Sequence, residues 1–185
     1  MMRCLPSLSP FLPVYEIALC APTLGVTADL AAVLGAQLAR GDVVLLSGPV
    51  GAGKTAFARA LIQSLLAREG LMEEVPSPSF TLVQVYETQD FDIWHVDLYR
   101  LTAGADLREL GLEDAFEDAL CLIEWPERLG DLVPHDALLV EIAPQPNEQR
   151  RIHLSATAPR WGDVIAGVAT QLGLAADIDR GRPDA

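Results

Sequence analysis

Apolar residues along this chain fall into short continuous or alternating runs separated by stretches of helical periodicity, a pattern that predicts strands interleaved with helices. Val14 to Cys20 reads as a first strand. Pro22 and Gly25 then break the chain, and Leu30, Val33, Leu34 and Leu38 recur at helical spacing, with Thr27 or Asp29 as the cap and Arg40-Gly41-Asp42 as the end. Val43-Val44-Leu45-Leu46 is an unbroken apolar run, as in a buried strand. The helix after it places Phe57, Leu61 and Leu65 on one face and stops near Gly70. Glu73 to Thr81 is polar and punctuated by Pro76 and Pro78, a loop. Leu82 to Glu87 and Phe91 to Leu98, joined by Thr88, Gln89 and Asp90, form a hairpin pattern.

Leu112, Phe116 and Ala119 share the face of a further helix, and Glu113, Asp114, Glu117 and Asp118 make its opposite, solvated side. Ala119 to Ile123 is an apolar strand that ends in Glu124-Trp125-Pro126. Ala137 to Ile142 and Arg151 to Ser155 are two more strands around the polar segment Pro144 to Arg150. Trp161, Val164, Ile165, Val168 and Leu172 trace a last amphipathic helix closed by Gly173. No repeat is visible. The length of 185 residues suits one domain, residues 14–174, with a loose tail over residues 175–185. Met1 to Pro13 carries one positive charge and apolar residues, but its prolines interrupt any helix, so it reads as a disordered extension and not as a secretion signal.

Chemistry concentrates between the second strand and the second helix. Gly48-Pro49-Val50-Gly51-Ala52-Gly53-Lys54-Thr55 is a full match to the phosphate-loop pattern G-x-x-x-x-G-K-[ST], and Lys54 is the only lysine in the chain. Strand before and helix after, opening at Ala56, are the context the motif needs. Glycines let successive N–H groups turn inward around phosphate oxygens, and the helix N-terminus adds partial positive charge. Lys54 supplies a mobile charge for the outer phosphates, and the Thr55 hydroxyl suits a Mg²⁺ ligand. The motif and the strand–helix pattern together predict an α/β phosphate-loop NTPase-like fold of three layers, its central sheet mostly parallel or mixed and flanked by helices.

A formal net charge of −13 opposes independent binding to nucleic acid, so any RNA role runs through a partner. Cys4, Cys20 and Cys121 are scattered, which indicates neither a zinc site nor a disulfide framework and fits a reducing cytoplasm. No stretch is long and apolar enough to span a bilayer. A phosphate loop also needs an acidic partner at a neighbouring strand end, and Asp97 and Glu124 both stand where strands end and face a ligand crevice. A carboxylate wedged between an apolar run and Trp125 needs a partner. Asp97 has a competing explanation, a simple pair with Arg100. His95, inside an alternating strand, reads as a packed or hydrogen-bonded structural histidine, and Trp125 reads equally as core or as a wall of the site.

In order, Gly48 to Thr55, Ser77-Pro78-Ser79-Phe80-Thr81-Leu82-Val83, His95-Val96-Asp97-Leu98-Tyr99-Arg100-Leu101, Leu110-Gly111 and Ile123-Glu124-Trp125-Pro126-Glu127 resemble the signature of the bacterial TsaE (YjeE) family over roughly Val14 to Ser155. The resemblance implies a small Mg²⁺-dependent ATPase that acts with TsaB and TsaD in making threonylcarbamoyladenosine in tRNA, without performing the carbamoyl transfer itself. It implies that Val50, Gly51, Ala52, Gly53, Lys54, Thr55 and Ala56 hold ATP, that Thr55 and Glu124 are Mg²⁺ ligands, that Glu124 and Lys54 serve catalysis, and that Asp97 is a catalytic residue or one that holds metal-bound water. By the same resemblance Thr27 lies near the base or ribose, Trp125 lies beside the phosphates, and Ser77 to Thr81 is a switch-like loop. Ser79 departs from the family's usual threonine but keeps the hydroxyl. A small-molecule kinase and a non-catalytic nucleotide sensor remain as alternatives on the same scaffold. A GTPase is disfavoured, because an N-K-x-D motif needs a second lysine.

Overall fold

A computed structural model describes residues 15–101 and 107–172; the expected N-terminal extension, the C-terminal tail and the closing Gly173 lie outside the described residues. Seven strands form one mixed sheet: β1 (Tyr15–Ala21), β2 (Val43–Ser47), β3 (Val83–Tyr86), β4 (Asp92–Asp97), β5 (Ala119–Glu124), β6 (Leu138–Pro144) and β7 (Arg150–Ala156). Their order across the sheet is β1-β7-β6-β2-β5-β4-β3. The four central strands β6, β2, β5 and β4 are parallel, while β1, β7 and β3 pair antiparallel at the flanks. The hairpin expected before and after Thr88 to Asp90 is β3–β4.

Side-chain alternation divides the sheet into two cores. On one face Val44, Leu46, Leu120, Leu122, Val140 and Ile142 pack under α1 (Leu24–Gly35), α2 (Lys54–Arg68) and α4 (Arg160–Gln171). On the other, Val43, Leu45, Cys121 and Ile123 pack with Leu112 and Ala115 of α3 (Leu112–Asp118). Because β2 and β5 are covered on both sides, each reads as a continuous apolar run. Phe57, fully buried on α2, anchors the helix that opens the phosphate loop, and truncating such a side chain to alanine costs about 3–5 kcal/mol.

Strand ends and the start of α2, at Lys54 and not Ala56, shift by a residue or two from the pattern, and larger differences fall at α1 and α3. The cap of α1 is Thr23, extended at φ −140°, whose Oγ1 accepts from the Val26 N–H at 3.2 Å. The helix therefore starts before Gly25 and encloses both Thr27 and Asp29, since glycine is tolerable in a first turn whose N–H groups lack helical partners anyway. It also ends at Gly35, short of Arg40-Gly41-Asp42. Ala119 belongs to β5, not to the face of α3: its neighbour Asp118 closes the helix and Ala119 adopts extended φ and ψ. The acidic side of α3, Glu113, Asp114, Glu117 and Asp118, is exposed as expected.

Candidate nucleotide site

The phosphate loop leaves the carboxyl end of β2, the middle of the parallel strands, and feeds directly into α2. Its glycines are sterically required. Gly48 has φ +144°, and a Cβ there would sit 2.3 Å from the Ile142 carbonyl oxygen of β6. Gly53, at φ +109°, caps α2, so the helix N-terminus opens straight into the loop. Val50 at the tip is exposed, whereas Ala52 is buried.

Lys54 is 4% exposed and bends back over the loop, donating to the Gly48 carbonyl at 2.7 Å and the Pro49 carbonyl at 3.0 Å. Its ammonium lies 3.6 Å from the Trp125 ring centroid. Burial pushes the Lys54 pKa down, and the nearby carboxylates of Glu124, Glu127 and Asp97 pull it back up. Trp125 itself takes a left-handed conformation at φ +63°, uncommon for a bulky residue, and its ring meets Tyr99 at a centroid distance of 4.9 Å. Trp125 thus meets both halves of the open choice, packing on the α3-side core while its ring faces Lys54.

The two carboxylates expected from the sequence meet in register. Asp97 at the end of β4 is the partner of Glu124 at the end of β5, and Glu124 in turn pairs with Leu46 next to the loop. Both are buried, at 3% and 2% exposure. Glu124 bridges two neighbours: Thr55 Oγ1 donates to Oε2 at 2.9 Å, and His95 Nε2 lies 2.9 Å from Oε1. His95 is completely buried and its Nδ1 has no partner, so a proton on Nε2 serves both nitrogens best: it donates to the carboxylate and leaves no buried N–H orphaned at Nδ1. The structural reading of His95 holds, and its structural task is to orient Glu124.

Asp97 does not pair with Arg100, whose guanidinium instead lies over the Phe80 ring at 4.0 Å. Its Oδ2 accepts from Ser79 Oγ at 2.5 Å and from Ser77 Oγ at 3.4 Å, and its Oδ1 accepts the Tyr99 N–H at 2.9 Å. The proline-punctuated loop is thus latched to the strand end beside Glu124. Thr27 is 2% exposed and its hydroxyl donates to the Thr23 carbonyl at 3.2 Å, so its polar group is turned to its own helix. Sequence reasoning missed Arg150, at the start of β7, whose Nε donates to the Ala52 carbonyl at 3.2 Å; nothing in the spacing of the polar segment marks it.

The donor set can hold magnesium and phosphate. Thr55 hydroxyl and Glu124 carboxylate are hard oxygen ligands beside a nest of backbone N–H groups. Among the described residues no cluster of three or more His, Cys, Asp or Glu side chains is placed to hold a metal ion.

Against known proteins, the family model for the threonylcarbamoyl adenosine biosynthesis protein TsaE matches residues 22–152, well over half of the chain. The chain belongs to the TsaE family. Similar proteins include the tRNA threonylcarbamoyladenosine biosynthesis proteins TsaE of Rickettsia felis, 43% identical over 58% of this chain and 61% of that protein, and of Bacillus subtilis, 30% identical over 73% and 82%. The match to TsaE of Rickettsia bellii is 36% identical over 70% of this chain and 88% of that one. The crystal structure of Bacillus subtilis YdiB shares the fold, with a TM-score of 0.71 at 24% identity over 84% of this chain and 95% of the other. The matched region of the TsaE model takes in the phosphate loop, both carboxylates and Trp125. Among the described residues no helix is long and apolar enough to cross a membrane.

Proposed function

We propose that this chain is a Mg²⁺-dependent ATPase that serves tRNA threonylcarbamoyladenosine biosynthesis with TsaB and TsaD, using ATP binding and hydrolysis to reset their assembly. The observation that carries the reading is the Thr55–Glu124 contact of 2.9 Å, which joins the phosphate loop to the end of a neighbouring strand. These are the hydroxyl and carboxylate oxygens that would hold Mg²⁺, and Lys54, 4% exposed, stands close by.

Each residue then has a task. The loop from Val50 to Ala56 offers backbone N–H groups other than that of Ala52, which donates to the Pro49 carbonyl at 3.1 Å, and Gly51 and Gly53 supply positive φ. Lys54 exchanges its bonds to the Gly48 and Pro49 carbonyls for the outer phosphates, and the phosphate charge favours the ammonium that burial alone disfavours. Trp125 keeps that ammonium in place from the other side. Thr55 and Glu124 hold the cation, and His95 fixes the Glu124 carboxylate so that one oxygen stays turned toward Thr55. Thr55 and Glu124 would hold the Mg²⁺, whose chemistry would be to stabilise the negative charge of the phosphates.

Asp97 has two tasks in this reading. It orders water next to the γ-phosphate, and it latches Ser77 and Ser79, so loss of that phosphate is felt by the loop. The net charge of −13 makes tRNA contact indirect, through the partners. Without an arginine supplied to the leaving phosphate, turnover by the isolated chain is slow and partners accelerate it. The test is phosphate release from ATP, measured for the purified chain alone and with TsaB and TsaD. The reading predicts slow, Mg²⁺-dependent release that rises with the partners. Phosphate transfer to a metabolite in place of water would establish the kinase alternative, and no turnover under either condition would leave a nucleotide sensor.

A further inference from the structure

Pro144 to Arg150 reads in the sequence as no more than a polar link between two strands. In the fold it closes the β6–β7 hairpin, and that hairpin leans on the phosphate loop at two points. The Ile142 carbonyl packs where only glycine fits at position 48, at 2.3 Å from a Cβ built there. Arg150 reaches the other end of the loop: Nε donates to the Ala52 carbonyl at 3.2 Å, while Nη1 donates to the Glu148 carbonyl at 2.7 Å. Asn147 and Glu148 both sit at φ +60°, and the Gln149 N–H bonds back to the Pro146 carbonyl at 3.4 Å, the geometry of a type I′ turn. The guanidinium thus ties a tight turn to the loop backbone.

We propose that Arg150 is a positioning residue of the phosphate loop: by holding the Ala52 carbonyl outward, it turns the Gly53 N–H inward to the bound phosphate. The inference rests on the nucleotide-binding reading above. Its basis is the planar trans peptide, in which the carbonyl of one residue and the N–H of the next point in opposite directions. Gly53 has φ +109°, in the region where glycine moves most freely, so the peptide before it needs an external tie to stay in one orientation. A Cβ on Gly53 would lie 3.3 Å from Arg150 Nε, closer than side chains ordinarily pack, so the guanidinium stands over the face of Gly53 that a side chain would occupy. Pre-orienting the donor before ligand arrives lowers the ordering cost of binding.

Three variants separate positioning from simple charge attraction. In Arg150→Gln the amide nitrogen falls close to the position of Arg150 Nε, so a donor remains without the charge. Arg150→Lys keeps the charge but puts a methylene there, and Arg150→Met keeps only the stem. The readouts are affinity for MgADP by titration calorimetry and the Gly53 amide resonance in the nitrogen–proton correlation spectrum at saturating MgADP. Positioning predicts near wild-type affinity for Arg150→Gln and at least about a tenfold loss for Arg150→Met and Arg150→Lys, equivalent to ~1.4 kcal/mol. The ligand-induced downfield shift of Gly53 is retained in the glutamine variant and reduced in the other two. Affinity retained by lysine and lost by glutamine, or a Gly53 shift unchanged in all three, overturns the inference while wild-type binding stands. Failure of the wild type to bind MgADP would instead remove the nucleotide reading itself.

Discussion

The phosphate loop, residues 48–55, is gripped along its backbone from several sides, whereas the proline-punctuated loop, residues 73–81, is held mainly through side chains, with Val75 and Pro78 buried and Arg100 stacked on Phe80. The first is tied by the Ile142 carbonyl, by Arg150 on Ala52, by Lys54 folded onto its own carbonyls and by the Trp125 ring. The second has the Val75 carbonyl accepting from Arg59 Nε at 2.7 Å, and Ser77 and Ser79 on Asp97, while Phe80 stands 82% exposed. At its end the Leu82 N–H bonds to the Pro78 carbonyl at 2.7 Å and Leu82 sits at φ +65°, a strained conformation for a non-glycine residue. Many ties make a fixed template. Side-chain ties and one strained corner leave an element that the loss of a single contact can loosen. In the proposed function, the first loop would report that nucleotide is bound and the second which nucleotide it is.

Lys54→Ala should have the largest effect on this contrast. With MgATP at about a hundred times its dissociation constant, wild-type protein should gain roughly 2.7 kcal/mol of stability, seen as a thermal shift, and the variant should gain none. A full shift in the variant would break the template half of the comparison. Glu124→Gln keeps the size of the side chain but not the charge, so phosphate release should fall on the order of a hundredfold, the scale of a lost electrostatic group at a reacting centre. ADP affinity without magnesium should barely change. Identical magnesium titrations for the two proteins would make Glu124 a structural residue.

Ser79→Ala tests the latch alone. It removes the 2.5 Å bond to Asp97, worth about 1.5 kcal/mol or more for a bond to a carboxylate. Proteolysis or amide exchange within residues 73–81 should quicken, with MgADP affinity unchanged. The smallest effect belongs to a distant control, His153, whose imidazole lies between Glu141 and Glu16 on the β1–β7–β6 face. The Glu141 hydrogen bond raises its pKa above 6.5, with Glu16 adding and partial burial opposing. A raised pKa contributes stability that is fully present below the unfolded value and lost as pH rises through the folded one. His153→Gln should therefore lower stability at pH 5.5 by under about 1 kcal/mol and leave it unchanged at pH 9 in a denaturant titration. Neither loop should respond.

Much of the sheet was legible because each strand carries its own local signal. Val43 to Leu46 and Ala119 to Ile123 are buried on both faces, and their apolar runs say so. The phosphate loop, Asp97 and Glu124 were legible because strand ends and a glycine pattern mark positions without reference to the rest of the chain. Helix starts were less so: Thr23, Thr27 and Asp29 are all competent caps, and only the docking of α1 decides among them. The Arg150–Ala52 contact spans 98 positions and joins a side chain to a backbone atom, which leaves no residue-type signature at either end. The latch on Asp97 escaped for a similar reason, since the nearby Arg100 offers an equally plausible partner until its stacking on Phe80 is visible.

Amide hydrogen exchange of the two loops, with no nucleotide, with MgADP and with Mg²⁺ and a non-hydrolysable ATP analogue, tests the central claim most directly. Residues 48–55 should gain protection with both nucleotides, and residues 73–81 should gain it only when a γ-phosphate analogue is present. Equal exchange of residues 73–81 in the two bound states, or no protection of residues 48–55 in either, would contradict the account.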